Sequence, residues 1–74
     1  MDGEQSVALT PVESSQIAAI GYEPGKLWVQ FRRGGTYVYK DVGYGLFMEL
    51  MASDSKGKFL GQNVKGKYEF ERVE

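Results

Sequence analysis

The chain has 74 residues, 10 Asp and Glu against 9 Lys and Arg, 42% hydrophobic and 14% aromatic content, and neither Cys nor His. This composition is globular rather than disordered, leaves no disulfides or Cys/His zinc sites, and offers no apolar run near the roughly 18 residues of a membrane span. A chain this short buries only about 60% of the surface its unfolded form exposes, so its core is marginal and a homo-oligomer would add needed burial.

From residue 1 to 25 there are four acids and no base, and from 68 to 74 three acids stand against Arg72. Between Lys26 and Lys67 eight bases meet three acids, a net of +5, which suits an anionic partner. The start Met1-Asp2-Gly3-Glu4 lacks the basic and apolar regions of a signal peptide. With zero cysteine, this leads to the expectation of a soluble, cytoplasmic protein that makes no use of a membrane.

Residues 1–10 are polar and aperiodic and read as a flexible N-terminal segment, with a single domain over 11–74. Ser14 to Tyr22 has the length and β-branched content of a strand and ends at Glu23-Pro24-Gly25, where Pro24-Gly25 suits the centre of a type II turn. Lys26 to Arg32 alternates Leu27, Val29 and Phe31 against Trp28, Gln30 and Arg32, the period of a half-buried strand. Arg33-Gly34-Gly35 turns the chain, and Thr36 to Val42 forms a third strand.

The register of this second hairpin decides the role of Tyr37 and Tyr39. A two-residue loop places them beside Trp28, Gln30 and Arg32 on an open binding face; a three-residue loop with Gly34 in a bulge places them beside Leu27, Val29 and Phe31 as packing.

Gly43 to Ala52 carries Leu46 with Leu50 and Phe47 with Met51 at i and i+4, an amphipathic helix laid on the sheet. A second helix runs from about Lys56 to Val64, with Ser55 as a side-chain N-cap and Gly66 as an αL stop. Lys56 and Lys58 in its first turn oppose the helix macrodipole, and an anion received by the free N–H groups would relieve this, with Gly57 allowing close approach. Tyr68 to Val73 alternates aromatic and charged residues and reads as a terminal strand. The fold class is therefore α+β: an antiparallel sheet of three to four strands packed by two short helices, in the order β-β-β-α-α-(β).

No arrangement of catalytic groups emerges. The commonest general base and the commonest nucleophilic thiol are absent, and Glu13, Glu23, Asp41, Glu49 and Asp54 form no recognisable pair. Ser55 and Lys56 are adjacent on a helix and diverge by about 100°, which excludes a dyad. Gly21 to Leu27 superficially has the look of a P-loop, but it is one residue short and has Leu27 where Mg²⁺ needs a hydroxyl. The expectation is a non-enzyme with no cofactor and no metal.

The residues Val12, Ser14-Ser15, Ile17 and Ile20-Gly21-Tyr22, the alternating Leu27, Val29 and Phe31, then Gly34-Gly35, Tyr37-Val38-Tyr39, Val42, Leu50, Ser55, Gly57, Phe59, Val64-Lys65 and Tyr68 form an ordered string. It resembles the KTSC family over about Val12 to Tyr68. That small domain is named for its place at the C-terminus of some lysyl-tRNA synthetases and also occurs as a free-standing bacterial or phage protein. The family often has proline at the start of the first helix, where this chain has Gly43 and Tyr44. The resemblance implies RNA binding, the function suggested by the synthetase context.

Combined with the residue pattern, this gives a non-catalytic module for RNA or a phosphorylated nucleotide. Tyr37, Tyr39 or Trp28 would stack a base, Arg32, Arg33, Lys56 and Lys58 would meet phosphates, and Ser55 with Gly57 would present the helix N-terminus; Trp28 and Lys65 stand as additional candidates rather than primary ones. One alternative is an oligomeric sponge of phage type that sequesters a cyclic nucleotide. Another is a protein-interaction accessory that uses the aromatic face or a sheet edge.

Overall fold

A period of two along Leu27, Val29 and Phe31 puts these side chains on one face of a strand, and the sheet is built outward from that strand. The computed structural model describes residues 8–74; the remainder of the expected flexible segment, 1–7, lies outside the described residues. Strands β1 (Thr10–Pro11), β2 (Ile17–Glu23), β3 (Gly25–Phe31), β4 (Gly35–Val42) and β5 (Phe70–Arg72) form one sheet in the order β1-β2-β3-β4-β5. Every neighbouring pair is antiparallel. Helices α1 (Tyr44–Ala52) and α2 (Lys56–Asn63) lie between β4 and β5 in sequence.

The fold is α+β, with five strands where the pattern predicts three or four. The additional strand is β1, which pairs Thr10 with Ile20 and Pro11 with Ala19. Two residues carry no periodicity, so Thr10 falls inside the segment that polarity marks as loose. Pro11 is tolerated because an edge strand leaves its missing donor unneeded.

The first hairpin closes with Glu23 opposite Lys26 and Gly25 at φ +80, the positive φ that a type II turn requires at its third position. In the second, Phe31 lies opposite Gly35, so the loop has three residues, Arg32, Arg33 and Gly34, with Gly34 at φ +121. Tyr37 therefore sits opposite Val29 and Tyr39 opposite Leu27, and residues directly opposite share a face. Both tyrosines lie on the packed face, and Trp28 lies on the other. Further along β4 the pairing steps from Lys40 to Val42, leaving Asp41 in a bulge at φ +60. This extra residue restores Val42 to the core side, where it is fully buried.

Both helices cover the face of Leu27 and Val29. Leu50 from α1, Leu60 from α2 and Val64 just beyond it are buried with Ile17, Ile20, Leu27, Val29, Tyr39 and Val42 in one core. Phe47 stacks on Tyr22 with centroids 5.0 Å apart, and the Tyr22 hydroxyl donates to the Val42 carbonyl at 2.8 Å. Ser55 stands at the N-cap of α2, but its side chain makes no capping bond; instead the Ser53 Oγ accepts from the Ser55 N–H at 3.1 Å. Gly66 follows α2 at φ +81.

The C-terminal residues are held against β4: Val73 N–H donates to the Thr36 carbonyl at 2.8 Å, and Thr36 N–H to Glu74 at 3.3 Å. Gly35 makes this possible, since it has φ +92 and a Cβ there would run into the Glu74 carbonyl oxygen. Gly35→Ala is expected to destabilise the protein by roughly 1–3 kcal/mol, from the positive φ and the collision together, as read by thermal or urea unfolding. Gly43→Ala, which meets open space, serves as the control.

Candidate functional site

The three-residue loop and the alternation of β4 place Phe31, Tyr37 and Tyr39 side by side on the helix-covered face, and α1 and α2 leave part of that face open. There a groove of about 340 Å³ is lined by Phe31, Arg33, Gly34, Tyr37, Tyr39, Lys65, Gly66 and Phe70. Its walls are aromatic. The Phe31 ring stands edge-on to Tyr37 with centroids 5.6 Å apart, and Phe70 leans on Tyr37 at 5.5 Å and on Tyr39 at 5.8 Å. Phe70 remains 57% exposed. Arg33 enters from the hairpin tip, and Lys65 from the turn after α2, its Nζ lying 5.0 Å from the Phe31 centroid.

Tyr39 is only 3% exposed and belongs to the core. Burial first, and the neighbouring Tyr37 second, push its phenol above the ordinary tyrosine range. It is therefore a proton-bearing wall rather than a base. Tyr37 is half-buried, with part of its ring facing the groove's aromatic neighbours.

The other expected site residues are elsewhere. Ser55, Lys56, Gly57 and Lys58 line a second groove of about 330 Å³ with Glu13, Ser14, Ser15, Gln16 and Asp54. The two grooves share no residue. Physically, the eight residues of α2 span about 12 Å, so the lysines in its first turn and the lysine after its end serve different places. In the second groove two carboxylates accompany the two lysines, which cancels the cationic character expected of an anion site. Lys56 Nζ donates to the Ser53 carbonyl at 2.9 Å, and the Gln16 side chain occupies the space beside Gly57. Gly57 thus gives room to Gln16 rather than access to an anion.

Arg32 lies outside both grooves and donates through Nε to the Ser14 carbonyl at 2.7 Å. Trp28, on the opposite face, donates to Glu23 Oε2 at 3.1 Å. Among the described residues no group of three or more Asp and Glu gathers as a metal site, and no helix is long and apolar enough to cross a membrane.

The KTSC domain family model matches residues 13–68. The chain belongs to the KTSC family. A protein of Tsukamurella paurometabola is 40% identical over 62 residues, covering 81% of this chain and 92% of that protein. The crystal structure of a KTSC domain protein from Yersinia pestis is 37% identical, covers 93% of this chain and all of that one, and gives a TM-score of 0.89.

In this KTSC chain the groove also draws on Phe31 and Phe70, which the sequence alone does not mark as site residues. Phe31 reads as plain core from its alternation, and Phe70 lies beyond the matched region on a three-residue strand. The signal for Phe70 was the aromatic/charged alternation of the terminal stretch, which gives a face but not the strand it will pair with.

The raised Tyr39 phenol carries a pH signature. Because its folded value lies above the unfolded value of about 10, its contribution to stability is fully present below that pH and is lost as pH rises through the folded value. Thermal unfolding of wild type and Tyr39→Phe between about pH 8 and pH 11 checks this: wild type should lose more stability at the alkaline end than the variant.

Proposed function

We propose that this protein is a non-catalytic binding module that holds a phosphorylated nucleotide, free or as a unit of single-stranded RNA, in the aromatic groove. The observation that carries the reading is that Phe31, Tyr37 and Phe70 share one groove with the cations Arg33 and Lys65. A base laid on such rings gains on the order of 1–3 kcal/mol, and a guanidinium and an ammonium at the margin suit phosphate oxygens. The volume lies at the low end of the roughly 300–1,000 Å³ of ligand pockets, a fit for one nucleotide rather than several.

The groove's chemistry supports binding without turnover. Among the described residues its lining has no carboxylate, and its buried phenol keeps its proton at neutral pH. With two cations engaged, the logarithm of affinity for single strands should fall with the logarithm of salt at a slope of about 0.7 × 2.

Titration by NMR against ribonucleotides, cyclic nucleotides and short RNAs, with the mass measured in solution, tests the proposal. Arg33→Glu and Tyr37→Ala should each weaken nucleotide binding by about tenfold, whereas Lys56→Glu should leave it nearly unchanged. Equal affinity in wild type, Arg33→Glu and Tyr37→Ala would remove the groove from consideration. A panel with no binder would shift the reading to a protein partner at the exposed Phe70 edge.

A further inference from the structure

Lys65 occupies an unusual position in the groove, because its ammonium lies over the face of Phe31, the surface on which a ligand ring would stack. We infer that Lys65 is the residue that selects phosphorylated rings over unphosphorylated ones. This rests on the nucleotide reading given above and adds a rule for choosing among ring-bearing ligands.

The mechanism is an exchange. In the free groove the cation is attracted by the negative face of the ring, so any ligand ring that takes this place first displaces the ammonium. A nucleoside gives the displaced cation nothing in return. A nucleotide carries its phosphate into the same groove, where the freed ammonium becomes a donor to an anionic oxygen. Lys65 therefore opposes uncharged rings and favours charged ones, which a merely attractive surface lysine would not do.

Its location makes the swing feasible. Lys65 follows α2, its side chain is exposed, and its N–H is fixed by the Leu60 carbonyl at 2.9 Å, so the backbone is anchored while the chain of methylenes pivots. Gly66 next to it lines the same groove at φ +81, keeping the turn free of a competing side chain. Arg33, from the hairpin tip, lines the same groove and supplies the second charge.

The test compares adenosine with adenosine 5′-monophosphate as probes. Lys65→Ala should bind adenosine about two- to fivefold more tightly than wild type, because the ring face is vacated. The same variant should bind the monophosphate about tenfold more weakly. Lys65→Arg, which keeps the cation and stacks on rings, should restore the preference for the monophosphate. In the protein without ligand, the Lys65 ε-methylene protons should resonate upfield and return to ordinary positions in Phe31→Leu.

If Lys65→Ala weakens both probes alike, or neither, or if the upfield shift is absent, the selection by Lys65 is overturned while the groove remains a binding site. If wild type binds neither probe, the nucleotide reading itself fails, and this inference with it. Unchanged melting temperature in the variants keeps loss of fold from being read as loss of affinity.

Discussion

The number of residues in the β3–β4 loop is the constraint on which the rest depends. Side chains alternate with a period of two, so a single residue more or less in Arg32–Gly34 would exchange every side chain of β4 between the faces. With three residues, Tyr39 is carried into the core and Tyr37 to its margin, Val38 goes to the opposite face, and Arg33 is left at the tip beside the aromatic rings. The Asp41 bulge makes the complementary correction at the far end of the strand. It brings Val42 back to the core after Lys40 has pointed outward.

The lysines at the start of α2 make physical sense once the preceding helix is considered. A cation in the first helical turn opposes the macrodipole, yet Lys56 lies close to the end of α1, where exposed carbonyls favour positive charge. Its ammonium accordingly donates to the carbonyl of Ser53, the C-cap of α1. The tight α1–α2 connection thus turns a local misfit for one helix into support for the other. Lys65, beyond the C-terminal end of α2, places its ammonium over the ring of Phe31.

The elements themselves were largely legible. Apolar alternation identified β3 and the i, i+4 pairs identified α1, because each signal lies within one segment. Pro24-Gly25 marked the first turn for a similarly local reason. What could not be read was pairing across distance. The loop length leaves the tyrosines with two faces to choose from, β1 is too short to carry a pattern, and nothing local to Gly57 indicates that the Gln16 side chain packs against it. The candidate site was legible in its kinds of residue, aromatic and cationic, but not in their grouping. Arg33, Tyr37, Tyr39 and Lys65 converge, whereas Lys56 and Lys58 join two acids elsewhere.

Chain length explains why a groove exists at all. The eight residues of β4 extend about 27 Å, whereas the nine of α1 and eight of α2 extend only about 14 and 12 Å, so neither helix reaches along the whole face it covers. Exposed aliphatic residues on the uncovered part would be a liability in a core this small. Rings answer the problem differently: Phe31, Tyr37 and Phe70 pack edges and faces against one another, and the Lys65 ammonium lies over the Phe31 ring. The arrangement that completes a small core is therefore the one that leaves an aromatic groove with cations at its margin.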